Sequence, residues 1–182
     1  MMQEKFSALQ KIAREFNSEK ITWGVGGSLL LYIHGLSDQF EDIDLVVQEG
    51  DALACQRLLI KHGPMLPKNP DERFRTRGFF EFEIDGVDID LMCVLSIVSH
   101  DMETVLPFDE TLIERWEPFG VEKLPLMHLE DWYLIYALIE REPKLELIEG
   151  HFKAKGVNQQ RLKQLLELNM PEKVRQRLTT WV

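Results

Sequence analysis

The stretch FFEFEIDGVDIDL, residues 79–91, alternates apolar and acidic side chains on both sides of the dipeptide Asp85-Gly86. This pattern predicts a β-hairpin with a two-residue turn, because Asp-Gly favours the positive φ angles that such a turn requires. The turn sets the register, so Ile84 faces Val87 and Glu81 faces Asp90. One face of the hairpin is then apolar and faces the core. The other face collects four carboxylates: Glu81, Glu83, Asp88 and Asp90.

Four carboxylates on one hairpin face repel each other. Two such charges about 4 Å apart repel by about 4 kcal/mol at an effective dielectric near 20, and like charges opposite each other destabilise a ladder. Solvent screening, a carboxyl group with a raised pKa, or a bound divalent cation could relieve this repulsion.

A second acidic pair favours the cation. Asp42 and Asp44 flank Ile43 at the start of the apolar segment 43–47, and strand alternation places both carboxylates on the same side while Ile43 enters the core. Mg²⁺ prefers oxygen ligands. Two carboxylates of one strand and a third from a neighbouring strand can hold two such ions for phosphoryl transfer. We expect Asp90 to be the third ligand, with Asp88 on the same face as the alternative.

The glycine pair before the first acidic pair indicates an anion site. Gly26-Gly27-Ser28 lies between a short strand predicted at 21–25 and an apolar helix predicted at 29–34. Free backbone N–H groups at the start of a helix favour phosphate, and glycine allows close backbone approach. Ser28 is expected to cap this helix and to donate a hydrogen bond to a phosphate oxygen.

These three motifs, in this order, resemble the nucleotidyltransferase superfamily pattern hG[GS], Dh[DE]h and h[DE]h. The resemblance covers about residues 21–94 and implies an α/β (α+β) fold of the polymerase β type, with a short mixed sheet flanked by helices. It also implies transfer of a nucleoside monophosphate from a nucleoside triphosphate to a hydroxyl group of a small molecule or protein, with release of pyrophosphate. The implied roles are triphosphate binding by Gly26, Gly27 and Ser28, and Mg²⁺ binding, two ions, by Asp42, Asp44 and Asp90.

The chain most resembles small bacterial antibiotic-type and toxin–antitoxin nucleotidyltransferases. In their helical segment a lysine is common on the helix and a Lys-Asp pair is common after it. Here Tyr136 occupies the helix position and Leu145 follows Lys144. This departure keeps a second hypothesis open, a catalytically silent or antitoxin-like binding protein with the same fold.

Three arginines precede the hairpin at alternating positions: Arg73, Arg75 and Arg77. On an extended strand they would point the same way, toward the hairpin. We expect Arg75 and Arg77 to bind the triphosphate, and neutralisation of the acidic hairpin face is an equally good interpretation.

The remaining pattern predicts an amphipathic first helix ending near Asn17, a helix over 51–62, and helices over 129–141, 157–168 and after Pro171. No strand is predicted after Val94. We therefore expect an α/β domain over 1–117 and a helical C-terminal region over 118–182.

Composition excludes several classes of protein. There are 21 basic and 31 acidic side chains, and the formal net charge is −10, so a nucleic-acid partner is not expected, because such binding depends on many Lys and Arg contacts. Cys55 and Cys93 form no C-x-x-C pair, which argues against a disulfide framework or a cysteine zinc site. No signal peptide or membrane span is expected, and the predicted location is cytoplasmic. A protein partner or a homodimer is compatible with the sequence.

Overall fold

The predicted hairpin forms one end of a six-stranded mixed sheet in the computed structural model, which describes residues 1–67 and 71–182. The strands of the chain are β1 (Trp23–Val25), β2 (Ile43–Val47), β3 (Gly78–Ile84), β4 (Val87–Cys93), β5 (Leu95–Ser99), β6 (Met102–Leu106), β7 (Ile113–Phe119) and β8 (Glu122–Met127). The large sheet has the order β3-β4-β2-β1-β8-β7, and β5 and β6 pair separately.

Helices flank this sheet and fill the C-terminal part of the chain. They are α1 (Met2–Ser18), α2 (Gly27–Ile33), α3 (Ala52–Ile60), α4 (Leu129–Leu138), α5 (Glu142–Lys155), α6 (Gln159–Leu166) and α7 (Glu172–Thr179). This mixed sheet with flanking helices confirms the predicted fold class. None of the helices in the described ranges has the length and hydropathy needed to cross a membrane.

The hairpin register is confirmed at every pair that was predicted. Ile84 pairs with Val87, Phe82 with Ile89 and Glu81 with Asp90, and the turn residues Asp85 and Gly86 both have positive φ. Phe82, Ile84 and Ile89 are fully buried, so the apolar face packs on the core. The acidic face is therefore the face left for the solvent and for ligands.

The helix α1 packs against the centre of one face of the large sheet. Phe16 of α1 meets Trp23 of β1 edge-to-face at 5.4 Å between ring centroids, and Leu9 and Ile12 are fully buried. The Trp23 indole donates a hydrogen bond to Asn17 Oδ1 at 3.1 Å. This packing fixes β1, and with it the glycine pair that follows β1.

The prediction that no strand follows Val94 is wrong, because β5, β6, β7 and β8 all lie beyond it. Pro118 and Pro125 lie within β7 and β8, and proline argues against a strand in sequence patterns. The large sheet continues to Met127, past the proposed boundary at residue 117. The division into two domains stays a prediction.

The C-terminal helices pack around α4, whose ten residues are all buried. Asp131 of α4 forms an ion pair with Arg161 of α6 at 2.6 Å. The helix α5 was not predicted, and its place between α4 and α6 matters for the site described next.

Candidate active site

Three aspartates from two neighbouring strands converge at one edge of the site. Asp44 on β2 is the register partner of Asp90 on the parallel strand β4, and Asp42 lies immediately before β2. One oxygen from each of the three carboxylates lies within 4.8 Å of the other two. Ile43, between the two aspartates, is fully buried. The alternation that was predicted for this segment therefore brings all three carboxylates to one face.

The electrostatics of this cluster are unfavourable without a counter-charge. Burial raises the pKa of Asp44 well above its usual value, and the charges of Asp42 and Asp90 raise it further. Burial, followed by the charges of Asp42, Glu81 and Asp88, raises the pKa of Asp90 to about 7. An all-carboxylate donor set of this kind fits hard divalent cations such as Mg²⁺.

Asp88 lies on the same strand but is exposed. Within the described residues, the group of carboxylates close enough to share an ion comprises Asp42, Asp44 and Asp90, without Asp88. Asp88 acts on the site through its charge, which contributes to the raised pKa of Asp90. Of the two candidates for the third carboxylate, the geometry favours Asp90.

The glycine pair lies directly against this cluster. Gly27 adopts a φ of +59°, and a Cβ atom at this position would lie 1.7 Å from Asp44 Oδ2. A Cβ at Gly26 would lie 2.1 Å from the Trp132 ring. Both positions therefore require glycine, the first because of its backbone conformation and both because of the close approach.

The role of Ser28 in the glycine loop differs from the predicted role as a helix cap. The helix α2 begins at Gly27, its N-cap is Gly26, and no side chain caps it. The Ser28 hydroxyl instead accepts a hydrogen bond from the Glu41 backbone N–H at 3.1 Å and lies 3.4 Å from Asp42 Oδ1. The hydroxyl links the glycine loop to the segment that carries the first aspartate. The expected capping role is wrong, because Ser28 lies inside the first helical turn.

The loop and the aspartates open into one cavity of about 280 Å³. Its walls also carry three cationic side chains and several aromatic ones: Arg73, Arg141, Lys144, Phe74, Phe79, Trp132 and Tyr136. The structure thus places acidic, cationic and aromatic groups around one space that is large enough for a ligand.

The structure does not bring Arg75 and Arg77 to this cavity. Arg75 borders a separate surface depression, and Arg77 lies 3.5 Å from Glu49 as an exposed ion pair. Their role in triphosphate binding stays a prediction without geometric support. Arg73 lines the cavity and pairs with Asp71 at 2.7 Å.

The three arginines lie before the first hairpin strand, which begins at Gly78. The segment 71–77 instead runs beside β5 and is hydrogen-bonded to it. The Arg75 N–H donates to the Ser96 carbonyl oxygen at 2.9 Å, and the Val98 N–H donates to the Arg73 carbonyl oxygen at 2.7 Å. This segment brings Arg73 and Phe74 to the cavity wall.

The other two cationic residues come from the beginning of α5. Arg141 precedes the helix and Lys144 lies in its first turn. The charge of Lys144 partly offsets the rise in the pKa of Asp44. Leu145 is fully buried. Lys144 was not predicted as a site residue, because Leu145 follows it where the resembled proteins commonly have aspartate. Its position just after an apolar helix is the signal that could have found it.

Tyr136 of α4 lines the cavity and is 6% exposed. Burial and the charges of Asp44 and Asp42 raise the pKa of its hydroxyl above the usual range, so the hydroxyl is protonated. Its ring lies 5.6 Å from that of Trp132, centroid to centroid. The other tyrosine of α4, Tyr133, is fully buried, and its hydroxyl donates a hydrogen bond to Glu149 Oε1 at 2.8 Å. Tyr133 therefore belongs to the core of the helical region.

Comparison with known proteins agrees with this architecture at the level of the fold. No protein-family model matches the sequence, and no curated protein sequence matches it. Solved structures do match. An inferred nucleotidyltransferase from Thermotoga maritima has a TM-score of 0.64 and 24% identity, covering 84% of this chain and 95% of its own.

Two further matches are structures of the antibiotic-resistance factor ANT(2'')-Ia. Its solution structure has a TM-score of 0.64 and 13% identity, covering 99% of this chain and 94% of its own. Its crystal structure with adenylyl-2''-tobramycin has a TM-score of 0.59 and 10% identity, covering 97% of each chain. The chain therefore has the fold of the nucleotidyltransferase superfamily, as its motifs predict.

Proposed function

We propose that this protein transfers a nucleoside monophosphate from a nucleoside triphosphate to a hydroxyl group of an acceptor, with release of pyrophosphate. The observation that carries the proposal is the convergence of Asp42, Asp44 and Asp90 within 4.8 Å beside a glycine loop, in a fold shared with nucleotidyltransferases. The resemblance in the motifs and the placement of the residues support the same chemistry.

In this proposal the three carboxylates hold two divalent ions, with Mg²⁺ as the expected metal. Bound ions would supply charge stabilisation at the transferred phosphate and a lower pKa for the attacking hydroxyl. Asp42 lies near Ser28 and Asp44 lies against Gly27, and in this proposal both act on the triphosphate side. Asp90 is the register partner of Glu81 on the hairpin, and in this proposal it acts on the acceptor side.

The triphosphate is proposed to lie between the glycine loop and the start of α5. Gly26 and Gly27 allow its phosphates to approach the backbone, and the Ser28 hydroxyl can turn from Asp42 to a phosphate oxygen. Lys144 and Arg141, which line the same cavity, supply the positive charges. These two residues take the role that sequence analysis gave to Arg75 and Arg77.

The acceptor is proposed to be cationic. Beyond the three aspartates, the cavity wall carries Glu41, Asp71 and Glu81. Asp71 forms an ion pair with Arg73, the charge of Glu81 acts on Asp90, and the charge of Glu41 acts on Asp44. A polyanionic acceptor such as nucleic acid would be repelled there, while an amine-bearing small molecule or a basic protein segment would be attracted.

Binding is tested by thermal shift with ATP, GTP, CTP and UTP, each with Mg²⁺ or Mn²⁺. We expect at least one nucleotide to raise the melting temperature of the parent but not that of Asp44→Asn. Lys144→Met should weaken the shift, and Lys153→Met, an exposed lysine on the same helix, is the matched control. No shift with any nucleotide and either metal would contradict the proposal.

Turnover is tested separately with α-³²P-labelled nucleotides. The acceptors offered are tobramycin, simple amino alcohols and the protein itself. Tyr136 at the position where relatives often carry lysine favours the second candidate, a binding protein that keeps the fold. Nucleotide binding without label transfer to any acceptor would support that candidate. Transfer that is lost in Asp90→Asn would support the enzyme.

A further inference from the structure

A second polar cluster lies outside the active-site cavity, at the far end of α2. His34 follows the last residue of this helix, and its side chain is 7% exposed. Its Nε2 atom is buried without a hydrogen-bond partner among the described residues. His34 lines a surface cavity of about 320 Å³ together with Glu114 of β7 and His151 of α5. A buried nitrogen without a partner is unfavourable, so this cluster needs an explanation.

The three side chains are close neighbours. His34 Nε2 lies 3.8 Å from Glu114 Oε2. The rings of His34 and His151 lie 5.6 Å apart, centroid to centroid, at 84° to each other. Two imidazoles and one carboxylate are the donor types that Zn²⁺ and similar ions prefer.

Glu114 also forms an ion pair with Arg115. Arg115 lies 3.3 Å from Glu114 but also 3.3 Å from Glu117, so it keeps a carboxylate partner if Glu114 binds an ion.

We propose that His34, Glu114 and His151 bind one transition-metal ion of the Zn²⁺ type. Donors about 2.0–2.2 Å from a tetrahedral ion lie roughly 3.4 Å apart, so the pair of His34 and Glu114 needs only a small closure. Of the described residues, only the three active-site aspartates already lie within 4.8 Å as a set of three. Binding here therefore requires the half-buried His151 side chain to turn toward the other two, with water as the fourth ligand.

This position gives the ion a structural consequence. The helix α2 begins at the glycine loop and ends at His34, and α5 begins beside Lys144 and carries His151 two turns later. An ion held by both histidines would join the far ends of the two helices whose near ends line the active site. It would fix the spacing of these helices without contacting the nucleotide.

The proposal is tested with Co²⁺, whose visible absorption reports on imidazole and carboxylate ligands. The first titration uses the full chain, freed of metal, with the carboxylate site removed by the substitutions Asp42→Asn, Asp44→Asn and Asp90→Asn. A second titration uses the unsubstituted chain in excess Mg²⁺, which occupies that site, so the result does not depend on the triple variant folding. We expect one Co²⁺ per chain, displaced by Zn²⁺.

In both settings His151→Ala and Glu114→Gln should each weaken binding by about tenfold or more, because each removes a ligand. His100→Ala is the matched control, since His100 is an exposed histidine 3.3 Å from Glu140, and it should leave affinity unchanged. Absence of the Co²⁺ band, or parent affinity in either ligand variant, would overturn the proposal.

Discussion

Replacing Asp90 with asparagine should stabilise the metal-free protein, although the same change should abolish transfer activity. Asp90 is half-buried, and burial with the charges of Asp42, Glu81 and Asp88 raises its pKa to about 7 from an ordinary value of 3.8. Asparagine has nearly the same shape and carries no charge. It therefore removes the repulsion and keeps the packing.

The size of the effect depends on pH in a defined way. Below the unfolded pKa of 3.8, the carboxyl group is protonated in both states and adds no penalty. As the pH rises toward 7 the unfolded chain ionises first, so the parent loses about 1.4 kcal/mol of stability per pH unit. The penalty reaches an upper limit of about 4 kcal/mol above pH 7. Because water screens a half-buried group, we expect a measured gain of about 2 kcal/mol.

Urea denaturation in the presence of a chelator, at pH 5 and at pH 7.5, measures this gain. The gain at pH 5 should be about a third of that at pH 7.5, because Asp90 is still protonated in the folded protein at pH 5. Glu83→Gln, an exposed change on the same hairpin face, is the control and should alter stability by less than about 0.5 kcal/mol. Adding Mg²⁺ should stabilise the parent and not the variant. An Asp90→Asn protein that unfolds more easily than the parent at pH 7.5, or that gains equally at both pH values, would refute this reasoning.

Three further changes test other parts of the structure. Gly27→Ala should destabilise the protein by more than about 2 kcal/mol in urea denaturation, because the new Cβ would clash with the Asp44 carboxylate. Gly35→Ala is the control: Gly35 also has a positive φ but has open space around it, so this variant should lose only about 1 kcal/mol. Lys144→Met should raise the KM for the nucleoside triphosphate about tenfold, the loss of about 1.4 kcal/mol, with a smaller effect on kcat, as steady-state kinetics would show. Arg161→Met should destabilise the fold by about 3 kcal/mol at pH 8, because it leaves the buried Asp131 carboxylate without its partner. At pH 5 the loss should be smaller, because the pKa of Asp131, already raised by burial to about 6, rises further without Arg161 and the carboxyl group is then neutral. Urea titrations at the two pH values would detect the difference.

Local patterns predicted the parts of the site that depend on neighbours in sequence. The hairpin register follows from Asp85-Gly86 and strict alternation, and alternation alone places Asp42 and Asp44 on one face. The pairing of β2 with β4, which places Asp44 beside Asp90, is a long-range contact. It could be expected only from the resemblance in the motifs.

The cationic side of the site could not be predicted in the same way. It depends on α5, which begins with Glu142-Pro143 and has a largely polar sequence with weak helical periodicity. Arg73 reaches the cavity because the segment 71–77 follows β5, and that pairing has no signal in the sequence of the arginines themselves. The strands β7 and β8 contain prolines, and their place in the sheet comes from tertiary packing.

The segment 71–77 is hydrogen-bonded to a different sheet from the one that carries Asp44 and Asp90, and this affects how the site can change in evolution. Asp44 and Asp90 lie on the interior strands β2 and β4 of the large sheet, and Asp42 lies immediately before β2. Arg73 and Phe74 instead belong to a segment hydrogen-bonded to the small β5–β6 sheet. Substitutions in the segment 71–77 can therefore reshape one wall of the cavity while the three aspartates keep their positions. Under the proposed function, such substitutions would change which acceptors fit the cavity without changing the proposed metal ligands.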